Sequence, residues 1–115
     1  YAVSCGACHQ ADGKGLANMA PTLAKSDWVT GDAKRLIGVA VHGLMGPIKV
    51  NGKPVEGVPP VMPPHGFMKD EQLAGILTYV RNAWGNRAGL ISTEDITGYR
   101  KNESARVAPW TEAEF

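Results

Sequence analysis

The stretch that decides the fold is YAVSCGACHQ, residues 1–10, where Cys5 and Cys8 stand three apart and His9 follows at once. No other cysteine occurs in the 115 residues. Such spacing serves a redox dithiol, half of a zinc site, or the covalent anchoring of something larger. A structural zinc site wants four ligands, usually a second cysteine pair or a close pair of histidines. The remaining histidines, His42 and His65, stand alone and far apart. A thioredoxin-like dithiol follows a strand in a βαβ unit, and no such pattern surrounds Cys5. A Cys5–Cys8 disulfide would close a tiny ring and stabilise little.

The run Cys5-Gly6-Ala7-Cys8-His9 reads instead as C-x-x-C-H, the signature of c-type heme attachment. On a helical turn residues i and i+3 share a face, so both thiols can reach the two vinyl groups along one heme edge. His9, four residues after Cys5, then swings under the iron as the proximal ligand. One covalent heme c is therefore the expected cofactor.

Composition agrees with this reading. A chain of 115 residues is most simply one domain with a real core. Its 14 glycines and 8 prolines predict long loops, few long helices and little sheet, an interior that a buried cofactor would organise. A formal net charge of +1 gives no steering toward nucleic acid or anionic lipid. No apolar run approaches the roughly 20 residues of a membrane span, so no membrane insertion by this segment is expected, and no signal peptide is visible.

Working outward, residues 1–9 read as the end of a helix and residues 10–31 as a long loop. Asp32 reads as an N-cap, with Leu36, Ile37, Ala40 and Val41 at helical spacing and Gly43 as the stop. Six of the eight prolines fall between Pro47 and Pro64, which forbids a regular helix there. Within that stretch Asn51-Gly52 predicts a tight hairpin turn. Residues 70–85 give the clearest helix, with Asp70 as N-cap, Gly85 past the end, and an apolar stripe of Leu73, Ile76, Leu77, Val80 and Trp84. Ordinary core packing accounts for that stripe. Ser92 with Asp95 predicts a short helix through Tyr99, and Thr111 with Glu114 a second capping box at the chain's end. A heme-binding unit over residues 1–90 and an extension over 91–115, a short helix and a polar tail, are the expected divisions. The chemistry begins five residues from Tyr1 and the last cap has almost nothing after it, both as expected of a piece of a longer protein.

The sixth iron ligand decides function. Methionine sulfur opposite histidine suits electron transfer, whereas an open position suits gas binding or peroxide chemistry. Met19, Met45, Met62 and Met68 are the candidates, and a lone methionine is more often core filling. Met62 stands out because prolines fix it on both sides in VPPVMPPHG (58–66). Met68, beside the helix start, reads as packing.

Three blocks carry a family resemblance: CGACHQADGKG, the middle MAPTLAKSDWVTGDAKRLIGVAVHGLMG, and NGKPVEGVPPVMPPHGFMKDEQLAGILTYVRNAWGN. Together, over about residues 1–86, the chain resembles a class I monoheme cytochrome c, including cytochrome domains fused to periplasmic dehydrogenases. The resemblance implies an all-α fold of few helices and long loops around one heme. It implies Cys5 and Cys8 as thioether anchors, His9 as proximal ligand, Met62 as distal ligand, and Pro21 as the carbonyl that accepts a bond from the proximal histidine. It also implies that Leu73, Leu77, Tyr79 and Trp84 lie on the helix crossing the N-terminal one near the heme. Trp28 reads as packing or as a contact to a heme propionate. The Pro59-Pro60-Val61 insert departs from the shorter form expected before Met62, which keeps His65 as a reserve ligand.

The function so implied is electron transfer by a single heme, with no catalysis of its own. The alternatives are a heme-based gas sensor or peroxidase-like domain with an open sixth site, or the electron-relay domain of a larger dehydrogenase. The partner would be a redox protein or a fused dehydrogenase or oxidase domain, met through a mostly apolar, weakly salt-dependent patch. Attachment of this kind implies a periplasmic or other extracytoplasmic location, including one anchored to the membrane through a segment outside this chain.

Overall fold

The computed structural model describes residue 1 and residues 4–16, 20–55 and 61–115. Met19 and the Pro59-Pro60 part of the insert before Met62 lie outside the described residues. The described chain is built of helices α1 (Gly6–His9), α2 (Asp27–Thr30), α3 (Ala33–His42), α4 (Asp70–Asn82) and α5 (Thr93–Asn102), with a two-residue hairpin of β1 (Lys49–Val50) and β2 (Lys53–Pro54). The fold is all-α, with the hairpin as a minor feature.

Helix α3 starts where its cap is: the Asp32 carboxylate accepts from the Lys34 N–H at 2.9 Å. It stops at Gly43, which takes φ 88°, ψ 177°, a backbone region that L side chains avoid. The hairpin turns through Asn51 and Gly52 at φ 53° and 82°, the left-handed pair that a type I′ turn requires. Inside the stretch read as one long loop, Ser26 caps α2 by accepting from the Trp28 N–H at 3.2 Å. That helix is too short to leave a periodic signal.

Helix α4 corrects two expectations. Asp70 is its first residue rather than its cap; Lys69 precedes it, its N–H donating to the Gln72 side chain at 3.1 Å. The Asp70 carboxylate instead ties α4 to α5, pairing with Arg100 at 2.6 Å and accepting from the Thr97 hydroxyl at 2.6 Å. The helix ends at Asn82, so Trp84 leaves the stripe and sits in the turn beyond at φ 54°. Arg81 closes the C-terminal end of α4. It is 8 % exposed and donates to the Ala88 carbonyl through Nε (3.0 Å) and Nη2 (2.6 Å). A cation there also complements the helix dipole.

The main core joins Leu36, Ile37, Ala40 and Val41 of α3 to Leu73, Ala74, Leu77 and Val80 of α4, with Val29 of α2 beneath. The segment after residue 90 contributes to the same core through Ile91 and Ile96, the latter fully buried. The α5 start is capped as its sequence indicates, Ser92 Oγ accepting from the Asp95 N–H and the Asp95 carboxylate accepting from the Ser92 N–H. A second cluster of Trp28, Val39, Leu44 and Ile48 is covered by Met62 and Trp110. Thr111 and Glu114 cap a final 3-10 turn (Glu112–Glu114).

Candidate functional site

Between the two clusters lies an apolar cleft of about 1290 Å³, counted out to its open mouth. The sequence-derived residues Cys5, Cys8, His9, Pro21 and Met62 all line it, as do Trp28, His65 and Met68. Leu73, Ile76, Leu77 and Val80 form part of the same wall, so the stripe that core packing accounted for faces both the core and the cleft. Met45 lies outside the lining, 38 % exposed.

Helix α1 carries the anchor residues. The Cys8 and His9 N–H groups both donate to the Cys5 carbonyl, at 3.2 and 3.0 Å, which closes a single turn with Cys5 and Cys8 on one side. Cys8 is exposed, Cys5 half-buried, and their thiols are not joined. Burial pushes the Cys5 thiol above its ordinary value, which keeps it protonated rather than a reactive thiolate.

His9 is almost wholly buried, and its Nδ1 lies 3.0 Å from the Pro21 carbonyl. A carbonyl can only accept, so the proton is on Nδ1 and the Nε2 lone pair is left free to ligate. Burial, against the Pro21 bond, pushes the imidazolium below its ordinary value. The ring is thereby held neutral. The Gly15 N–H donates to the His9 carbonyl at 3.0 Å and Leu16 pairs with Ala20, so the glycine turn brings Pro21 back over the ring. At Gly15 a Cβ would lie 2.3 Å from the Ala20 carbonyl oxygen, and only glycine fits.

Tyr1 and Trp84 back α1. Their rings lie 5.2 Å apart, and Tyr79 is 5.5 Å from Tyr1. The Trp84 indole donates to the Ala11 carbonyl at 2.9 Å and covers Gly13, whose Cβ would lie 2.5 Å from the ring. Burial pushes the Tyr1 hydroxyl to about 12. Trp28 spends its indole N–H on the Lys49 carbonyl at 2.7 Å, so as placed it packs the wall and offers no free donor.

Met62 is set by backbone pairing. Its N–H donates to the Leu44 carbonyl at 2.8 Å, and the Leu44 N–H donates back to the Met62 carbonyl at 3.1 Å. His65 hangs its backbone N–H on the Ala40 carbonyl at 2.9 Å, and its ring Nδ1 is buried without a partner among the described residues. Met68 packs against the main core. The sequence did not single out Gly43 and Leu44 as parts of this site; their one signal was the helix stop.

The lining tests well against a heme. Two unjoined thiols sit on one helical side, a neutral imidazole keeps Nε2 free, a thioether lies on the same lining, and most of the rest is apolar. These residues suit a flat macrocycle with a central iron, since heme iron takes both imidazole and thioether ligands.

Comparison with known proteins bears on the same residues. The cytochrome c family model matches residues 1–84. The chain is 32 % identical over 105 residues to the cytochrome c subunit of alcohol dehydrogenase (quinone) of Gluconacetobacter polyoxogenes, covering 87 % of this chain and 21 % of that protein. It is 31 % identical over 112 residues to the gluconate 2-dehydrogenase cytochrome c subunit of Pantoea cypripedii, covering 92 % and 24 %. With cytochrome c-552 of Thermus thermophilus it shares 35 % over 86 residues, covering 71 % and 63 %. The chain thus spans less than a quarter of the two dehydrogenase subunits.

Proposed function

The chain belongs to the cytochrome c family, with its covalently attached heme c and its role as an electron carrier, and from that premise we propose that His9 and Met62 hold the iron. Heme c supplies a one-electron ferric–ferrous couple. Cys5 and Cys8 are its thioether anchors. Pro21 orients the imidazole and, by accepting the Nδ1 proton, raises the donor strength of Nε2. The Met62 sulfur would hold the iron together with His9, which favours the reduced state and would leave no position for an external ligand. The apolar wall of Leu73, Leu77 and Val80 excludes water, which limits reorganisation on electron transfer.

One observation carries this reading: Cys5, Cys8, His9 and Met62 line one apolar cleft while Pro21 fixes the His9 tautomer. The test is optical. The ferric holoprotein should show the far-red band of methionine–iron ligation, lost in Met62→Ala and kept in His65→Ala. The unpartnered Nδ1 of His65 favours a second reading, with His65 as the distal ligand. Loss of the native spectrum in His65→Ala alone would establish it. Ready carbon monoxide binding by the reduced protein would favour an open site instead.

The partner we propose is a dehydrogenase catalytic subunit, in the periplasm or another extracytoplasmic space, with residues 1–90 as the heme-binding unit and 91–115 as its extension. Two of the relatives are themselves cytochrome c subunits of dehydrogenases. Among the described residues no helix is long and apolar enough to cross a membrane. Electron entry is proposed at the cleft mouth, where Cys8 and Val61 are exposed and Phe67 packs on His65.

A further inference from the structure

Residues 43–45 form the middle of a three-part backbone ladder. On one edge Leu44 exchanges both its hydrogen bonds with Met62. On the other the Trp110 N–H donates to the Gly43 carbonyl at 3.0 Å, and the Met45 N–H donates to the Trp110 carbonyl at 2.9 Å. Backbone groups of an extended segment alternate sides, so residues 43–45 satisfy both edges at once. Met62 and Trp110 are thereby held on opposite sides of the same strand.

Trp110 is itself pinned. Its indole N–H donates to the Tyr99 hydroxyl at 2.8 Å, and that hydroxyl lies 2.7 Å from His42 Nδ1. An indole N–H can only donate, so the Tyr99 oxygen accepts it. The Arg106 guanidinium lies 3.4 Å over the indole, and Phe115 packs 5.0 Å from it. Gly38 of α3 leaves the room this takes: a Cβ there would lie 3.0 Å from the indole nitrogen and 3.2 Å from the Tyr99 oxygen. The indole is thus tied to both α3 and α5, while Trp110 is not among the residues that line the cleft. Tyr99, Arg106, Trp110 and Phe115 lie beyond residue 84, where the family match ends.

We propose that the C-terminal segment around Trp110 is a strap that positions Met62, with Trp110 a positioning residue acting through the backbone of Leu44. The inference rests on Met62 being the distal ligand. Without the strap, residues 43–45 lose one paired edge, and Met62 is held by a strand free to shift. The strap therefore sets how firmly the sulfur stays in place rather than which ligand is chosen.

The test uses heme-loaded protein and exogenous imidazole, which competes with methionine for ferric iron. The variants are Trp110→Ala, the milder Trp110→Phe and Arg106→Ala, and Ile96→Ala, which opens the main core but makes no ladder bond. Trp110→Ala keeps those backbone groups but removes the indole that pins them; release of the two ladder bonds corresponds to about a tenfold effect, so this variant should need about tenfold less imidazole to displace the native ligand. Trp110→Phe and Arg106→Ala should shift the same way by less and serve if the alanine variant does not accumulate. Ile96→Ala, matched or lower in unfolding stability, should change imidazole affinity less than about twofold. An equal shift in Ile96→Ala overturns the proposal, because the effect is then general loosening. So does unchanged affinity across the Trp110 and Arg106 variants. A wild-type far-red band that is absent, or that survives Met62→Ala, refutes Met62 ligation and removes the object the strap would position. A band lost in Met62→Ala with no Trp110 effect refutes the strap alone.

Discussion

Replacing Gly43 by alanine should damage the site more than any comparable change nearby, and the structure says by how much. Gly43 combines φ 88° with a close approach: a Cβ there would lie 2.5 Å from the Met62 carbonyl oxygen, where ordinary contact begins at 3.4 Å. Gly46, three residues on, has φ 80° but none of the described residues within 4 Å of its would-be Cβ. Gly46→Ala therefore measures backbone strain alone, about 1–2 kcal/mol. Gly43→Ala adds a displacement of about 0.9 Å between two backbones, and overpacking of that kind costs about 1–3 kcal/mol more. In a domain stable by about 5–15 kcal/mol this is a large fraction. In urea the Gly43→Ala midpoint should fall about 1–2 M below wild type, and the Gly46→Ala midpoint by less than half of that. The far-red band of the ferric protein should weaken in Gly43→Ala and persist in Gly46→Ala. Equal midpoints for the two variants, or an intact band in Gly43→Ala, would refute the idea that close backbone contact locates Met62.

Asn86 is 4 % exposed and makes three bonds, accepting from the Lys25 N–H (2.6 Å) and donating to the Leu23 and Val80 carbonyls (3.1 and 2.9 Å). Asn86→Ala leaves the buried Val80 carbonyl and two part-buried groups unpaired, so equilibrium unfolding should show a loss of about 2–4 kcal/mol; under 0.5 kcal/mol would contradict it. The Arg106 guanidinium and then the Thr111 N–H hold the Glu114 carboxyl below its ordinary 4.5. A depressed pKa contributes stability that is complete above the ordinary value and is lost as pH falls through the folded one. The Trp110 indole N–H signal in NMR should accordingly broaden only in acid below 4.5. In Glu114→Gln that acid step should vanish; identical titrations would remove the link between this carboxylate and the tail. With a formal net charge of +1, electron-transfer rates to an apolar docking partner should vary little with ionic strength. A steep fall with salt, read by stopped-flow, would point to charged docking.

Local chemistry was legible in the sequence. The Asp32 cap, the Gly43 stop, the Asn51-Gly52 turn and the Ser92–Asp95 box each act within a few residues, and the structure has each where the spacing puts it. The gathering of Cys5, Cys8, His9, Pro21 and Met62 on one cleft was also legible, through the motif and the family resemblance. What stayed hidden is non-local. A ladder made of single residues 44, 62 and 110 has no periodicity, since a strand one residue long cannot alternate. Trp84 fits a helical stripe by spacing, yet its interactions with Gly13 and Ala11 take it out of the helix. Asp70 is a good cap by residue type, but Arg100 and Thr97 compete for its carboxylate. The tail read as polar hides an indole whose partners lie on α3 and α5.

The ladder at Leu44 also bears on the order of assembly. The anchors at residues 5–9 lie at the front of the chain and can be fixed by a single local turn. Pairing Leu44 with Met62 closes a short loop, whereas pairing it with Trp110 closes one several times longer. By loop-closure entropy the second event costs roughly 1 kcal/mol more and comes later. Refolding followed in the far-red band should therefore trail helix formation followed by circular dichroism. A chain still emerging, or cut short before residue 110, would carry its anchored group with the distal side only half secured.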